Sequence, residues 1–252
     1  MTVYIFLIIV FVMGPIIAGI LESFLFRPSR SATEIFSLRW WQGLAICLPA
    51  LFHSLILAFI SASLSCILAI LAAGSVKLSS LKSQVPDPRS LIMFFTTAPV
   101  ISSGIVLGLG WLILYGGKFP RSPFALVMLH SLTALPFAFN SISIGFRSIP
   151  ANLLNAAMVS GAGPLRSLLT TTLPLSLPQL LSAWGFAAAL SMGELNAAMM
   201  LGIDGWETLP LFIFRAVAAY RYGTACATGT LLILSCAAAL ALSEWNRQKY
   251  AS

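Results

Sequence analysis

Asn155-Ala156-Ala157-Met158-Val159-Ser160-Gly161-Ala162, followed by Leu173-Pro174-Leu175, is a run of small, helix-compatible residues that stops at a glycine and hands over to a proline-led apolar segment. Pro150, just upstream, suits the first turn of a helix, where its missing N–H costs nothing. Ala151 to Val159 are mostly good helix formers. Gly161 can close that helix in the left-handed conformation, and Pro164 bars simple continuation. The expected local structure is a short helix, a sharp turn and re-entry into a long apolar segment, covering about 150–166.

What flanks this segment sets the fold class. The chain has 252 residues, of which 59% are hydrophobic and only 8% charged. A soluble domain carries about 25% charged residues. Charge-free runs occupy 1–21, 40–76, 90–117, 122–146, 167–193 and 222–243. A helix needs about 20 apolar residues to cross the hydrocarbon of a bilayer. The runs are continuous rather than alternating, so they do not read as strands of a membrane barrel. The expectation is an all-α polytopic membrane protein of about six helices. Spans are placed at 3–24, 49–74, 90–115, 123–146, 171–195 and 222–244. The opening run has no basic segment before it and is longer than the apolar core of a secretory signal, so it reads as a retained span.

Between the spans, Trp40 and Trp41 suit the headgroup level, where indoles concentrate. Pro86 and Pro88 interrupt the loop after span two. Gly116-Gly117 ends span three, and residues 196–220 form a short excursion outside the membrane. Lys and Arg do not orient the chain. Lys77, Lys82, Arg89, Arg147, Arg166, Arg247 and Lys249 fall on one side, and Arg27, Arg30, Arg39, Lys118, Arg121, Arg215 and Arg221 balance them on the other. The positive-inside rule therefore gives a tie.

The net charge of +7 is scattered, with no basic run of the kind that binds nucleic acid. Cys47, Cys66, Cys226 and Cys236 lie in apolar spans without metal-ligand spacing, as small packing residues. No glycine-rich phosphate loop with Lys-Ser/Thr is present, so ATP hydrolysis is not expected of this chain. No catalytic set, metal site or cofactor site is expected.

The 150–174 pattern resembles the cytoplasmic coupling loop of binding-protein-dependent ABC importer permeases. That loop has a Glu-Ala-Ala triplet, a Gly, and a Leu-Pro about a dozen residues later. Ala156, Ala157, Gly161 and Pro174 fall in register, and Asn155 stands where the family usually has Glu. The segments Leu190-Ser191-Met192-Gly193-Glu194-Leu195-Asn196-Ala197-Ala198, Glu207-Thr208-Leu209-Pro210 and Tyr220-Arg221-Tyr222 look like the second half of thiamine-type permeases, which are close to iron(III) permeases.

The resemblance implies a type I importer permease in the bacterial inner membrane, with the 148–170 loop in the cytoplasm. It implies a cytoplasmic ATPase dimer engaged by that loop, a second permease subunit, identical or different, and a periplasmic or lipoprotein solute-binding protein. Thiamine is the preferred solute, with iron(III) or another small solute as the alternative. A membrane-embedded enzyme or a secondary carrier is the reading from another class. The enzyme would need polar residues converging at one depth; the carrier would have no use for an ATPase-docking loop.

For the solute path, Glu194 and Asn140 are the candidates. Ionisable groups within the membrane are costly and point to function. Glu194 either lines the path and attracts a cation, or sits at the end of span five and caps a helix or pairs with Arg215 or Arg221. Asn140, with Ser141 and Ser143, faces either a polar path or a neighbouring helix. His53 and His130 read as packing or interfacial residues. Pro136, Pro174 and Pro178 are candidate bends.

Overall fold

The structure, a computed structural model, describes residues 2–26, 35–79, 89–116 and 122–251. The expected Pro86–Pro88 loop, Lys82, Gly117, Arg27, Arg30, Lys118 and Arg121 lie outside them. The architecture is all-α. The single β pairing among the described residues joins Leu25–Phe26 (β1) to Ile35–Phe36 (β2), antiparallel. The chain forms two compact units, Met1–Ser54 with Asp204–Ser235, and Leu55–Ile203 with Cys236–Ser252.

The first unit opens with α1 (Thr2–Glu22), which contains Pro15, and continues through the β pair. A short helix α2 (Arg39–Gln42) and a 3-10 turn (Gly43–Cys47) then lead into α3 (Leu48–Ser79). The expected Trp40-Trp41 belt folds back on the β pair. Trp40 Nε1 donates to the Leu25 carbonyl at 2.9 Å, and Phe24 stacks on both Phe36 and Trp41. Later residues of this unit form α12 (Leu209–Ala218) and the start of α13 (Tyr222–Ala251). Leu209 is buried against Cys47 and Ala50, and its N–H donates to Ser54 Oγ at 2.8 Å. His53 stacks on Trp206 with centroids 4.2 Å apart, a packing role as expected.

The second unit holds the greater part of α3, then α4 (Arg89–Ile101), α5 (Gly104–Tyr115), α6 (Pro123–Ser148) and α7 (Ala151–Val159). A one-turn helix α8 (Pro164–Ser167), a π-turn (Leu168–Thr172) and a one-turn helix α9 (Leu173–Leu175) lead into α10 (Leu177–Gly193). The short α11 (Asn196–Leu201) follows. The core is built from Cys66, Ala69 and Ala73 of α3 against Leu135, Ala138, Phe139, Ile142 and Phe146 of α6, with Ala183 of α10. Small residues dominate one wall and let helix axes approach closely. Polar side chains reach across the helices: Ser65 Oγ donates to the Ser131 carbonyl at 2.7 Å and Trp184 Nε1 to Ser63 Oγ at 3.1 Å.

Among the described residues, three helices are long and apolar enough to cross a bilayer, at Arg39–Ser79, Pro123–Ser148 and Tyr222–Arg247, rising to five if each bent pair counts as one span. The bent pairs correct the sequence reading. The segment expected as one helix over 90–115 is α4 and α5, turned by 97°. Pro99 within α4 removes a ladder bond. Ser103 restarts the chain as an extended N-cap whose hydroxyl accepts from the Val106 N–H at 3.3 Å. The segment expected over 171–195 starts earlier, at Pro164, bends by 76° around Ser176, and stops at Gly193. Pro174 and Pro178 flank that bend, whereas α6 runs unbroken through Pro136. The 196–220 excursion contains α11 and α12, with Ala197, Ala198, Leu201 and Leu209 fully or nearly fully buried.

Candidate functional site

The region singled out in the sequence lies within the second unit. Its helix is set off from α6 by two residues, Ile149 and Pro150; Ile149 is extended and buried, and its carbonyl accepts from Lys77 Nζ at 2.8 Å. Lys77 lies in the last turn of α3, so a charge-assisted bond ties the lead-in of α7 to another helix. In the sequence Lys77 counts only as one of the cations balanced between the two sides. Its contact partner is remote in sequence, and no local pattern signals it.

Pro150 occupies the cap position just ahead of α7 rather than its first turn. Leu154, Ala157 and Met158 share one stripe at the i, i+3, i+4 spacing of a helix face. Leu154 is fully buried, and the other two are half-buried. Leu153, Asn155, Ala156 and Val159 make up the outward face, with Val159 89% exposed. The Ala-Ala pair is therefore split, with Ala156 outward and Ala157 inward. Asn155 is outward too, carrying a neutral amide where a carboxylate would bring charge.

The helix closes as expected at Gly161, whose φ is +87°. The Ala162 N–H donates to the Ala157 carbonyl and the Gly161 N–H to the Met158 carbonyl, both at 3.0 Å. These are the two bonds of a Schellman motif. A Cβ at Gly161 would meet nothing within 4 Å, so within this chain the glycine serves the left-handed backbone and not a close approach.

α7 packs against α8 and the π-turn. Pro174 lies beyond that turn, exposed in the first turn of α9. It lacks the N–H that would continue the ladder, and the turn before it is widened to π. Asn155, Ala156, Ala157 and Gly161 thus form one protruding element, while Pro174 shapes the helix it springs from.

The two solute-path candidates are not brought together by any described contact. Asn140 is exposed on α6. Glu194 sits at the break after α10, where its Oε1 accepts from the Asn196 N–H at 2.9 Å and the Ala197 N–H at 3.3 Å. It caps α11. Arg215 instead pairs with Glu207 at 2.8 Å. His130 is fully buried, with Nδ1 3.0 Å from Ser191 Oγ and 3.1 Å from the Ser191 carbonyl. That carbonyl is in the last turn of α10 and also accepts from the Glu194 N–H at 3.4 Å. Among the described residues no group of His, Cys, Asp or Glu could hold a metal ion.

Comparison with known proteins bears on this arrangement. A family profile described as "Binding-protein-dependent transport system inner membrane component" matches residues 88–251. The putative 2-aminoethylphosphonate transport system permease protein PhnV of Salmonella typhimurium is 33% identical over 168 residues, covering 66% of this chain and 62% of the relative. The putrescine transport system permease protein PotI of Escherichia coli is 29% identical over 131 residues, covering 49% and 47%. The thiamine transport system permease protein ThiP of Escherichia coli is 28% identical over 139 residues, covering 53% of this chain and 25% of ThiP. The chain thus spans less than two thirds of the length of these relatives. In fold, a bacterial ABC transporter involved in the import of the acidic polysaccharide alginate superposes with a TM-score of 0.67 over 98% of this chain and 92% of that one, at 14% identity.

Proposed function

This chain belongs to the binding-protein-dependent transport system inner membrane component family, and from that premise we propose that it is the transmembrane permease subunit of an ATP-driven importer. The observation that carries this reading is α7. A short helix is pinned by Leu154 and the Lys77 bond, closed by a left-handed glycine, and turns Leu153, Ala156 and Val159 outward. Such an element can lie in the cleft of a partner as helix-in-groove recognition does. The partner is a cytoplasmic ABC ATPase dimer, and α7 passes its closure to the spans. Asn155, Ala156 and Gly161 form the contact, Ala157 backs it from the inner face, and Pro174 shapes its base. Asn155 can hydrogen-bond to the ATPase but brings no charge to it.

In this reading about six spans lie in the inner membrane, with the α7 loop cytoplasmic. A second permease subunit, a copy of this chain or a different one, completes the pathway, and a solute-binding protein delivers the solute from outside. The solute is a small organic molecule carrying a cationic nitrogen, a feature common to 2-aminoethylphosphonate, putrescine and thiamine. Thiamine was favoured by the sequence around Glu194. PhnV overlaps more of this chain at higher identity, so 2-aminoethylphosphonate stands beside it as a candidate. Iron(III) is the inorganic alternative. Asn140 is the path residue we retain.

The test is co-purification with an ABC ATPase, together with uptake of the three labelled solutes and iron(III). The expected result is a stable complex whose uptake is abolished by Gly161→Asp while expression is retained. A chain that binds no ATPase, or uptake indifferent to Gly161→Asp, overturns the reading.

A further inference from the structure

The break that follows α10 meets the break that precedes α5. A Cβ built on Gly104, the first residue of α5, would lie 2.7 Å from Glu194 Oε1 and 3.0 Å from Asn196 Cβ. One turn further on, a Cβ on Gly108 would lie 3.0 Å from both Cβ and Cγ of Met200. Both approaches are tighter than side chains ordinarily tolerate. Gly104 and Gly108 are spaced i, i+4 and meet Asn196 and Met200, also spaced i, i+4. The glycines of a small-xxx-small face let two backbones close together without intervening side chains. At the head of this contact the Glu194 carboxylate caps α11 through the Asn196 and Ala197 N–H groups and lies against the first turn of α5. Both helix starts present positive partial charge, which favours an anion there. Each helix is also cut off from its predecessor, α5 by the break at Ser102-Ser103 and α11 by the break at Glu194-Leu195.

We propose that α5 and α11 form one rigid body, pinned at its head by the Glu194 carboxylate, and that Glu194 serves transport as a positioning residue rather than as a ligand of the solute. The pair has freedom where the helices are interrupted and none along the Gly104–Gly108 face. The part concerning transport rests on the permease reading above; the pin itself does not.

The experiment uses the full chain in membranes with Cys47, Cys66, Cys226 and Cys236 replaced by serine. Gly108→Cys and Met200→Cys are introduced together and oxidised with copper phenanthroline, and loss of maleimide labelling is followed. A disulfide needs Cβ atoms about 3.5–4.5 Å apart, so a displacement of a few tenths of an ångström suffices. Rapid cross-linking is expected, slowed several-fold by Glu194→Ala and less by Glu194→Gln, which keeps the acceptor but loses the charge. Absence of cross-linking, or a rate indifferent to Glu194→Ala, overturns the pin.

Uptake of labelled 2-aminoethylphosphonate, putrescine and thiamine is then measured in cells carrying the complete transporter. Cross-linked protein is expected to retain uptake within about two-fold. Glu194→Gln is expected to lower the maximal rate several-fold and leave KM unchanged. Uptake lost on oxidation and restored by reductant overturns the rigid body, and a ten-fold rise in KM in Glu194→Gln identifies a solute ligand instead. Wild-type cells that take up none of the three count against the solute class, while cross-linking still decides the pin.

Discussion

Replacing Gly161 separates two reasons for a glycine at the end of α7. Its φ of +87° is one that L-residues rarely adopt, and an L-residue forced there loses about 1–2 kcal/mol. Removing glycine also stiffens the unfolded chain and returns about 0.4–1 kcal/mol. A built Cβ meets nothing within 4 Å, so no steric cost is added. Gly161→Ala should therefore weaken the turn by about 0.5–1.5 kcal/mol, roughly a 2- to 10-fold shift in its opening equilibrium.

Asparagine tolerates the left-handed region better than alanine and should fall between the two despite its larger side chain. The assay is amide exchange at Gly161 and Ala162, whose N–H groups make the two closing bonds, in the purified chain reconstituted in nanodiscs. Uptake by the assembled transporter should follow the same order, Gly above Asn above Ala. Alanine exchanging like glycine would refute the backbone argument. Uptake by the alanine variant above that of the asparagine variant would show that side-chain volume against the ATPase governs the site instead.

Leu154→Ala empties a fully buried position under α7 and should cost about 2–5 kcal/mol, read as a lower melting temperature with early loss of protection in α7. Glu207→Gln breaks the ion pair with Arg215, but both side chains are partly exposed, at 32% and 62%. Such pairs are worth about 0–1 kcal/mol, so thermal stability should change little; a loss above about 2 kcal/mol would contradict that. Tyr220 holds a φ of +58° at the end of α12, and Tyr220→Asn should relieve part of the strain and raise stability by up to about 1 kcal/mol. A lower melting temperature would mean that the exposed tyrosine ring contributes more than its backbone costs.

Much of the fold was legible because helix-forming apolar runs report local hydration and little else. The chain had to bury backbone polar groups in a medium without water, and only helices do this within one segment. Span four was read from 123 to 146 and found as Pro123–Ser148. The α7 element was legible for a related reason, since Pro150, Gly161 and Pro164 constrain their own backbone. Helix interruptions were harder to read. Pro174 and Pro178 marked one, but the turn at Ser102-Ser103 follows a proline, Pro99, that resembles any tolerated membrane proline, and it depends on the neighbours that receive the freed groups.

The sequence by itself determined that this chain lives in a bilayer, that it is helical, and where a short capped helix stands between two spans. These follow from hydropathy and from the φ limits of proline and glycine, which act over a few residues. Only the tertiary structure decided which face of that helix is free, because Ala156 and Ala157 are identical until Leu154 is buried beside them. It also decided what Glu194 touches. A carboxylate at the end of a span reads equally as a cation site, a salt-bridge partner or a cap; its contacts are with two N–H groups of α11 and with Gly104, which is ninety residues away in sequence but close enough in space that a side chain there would touch the carboxylate.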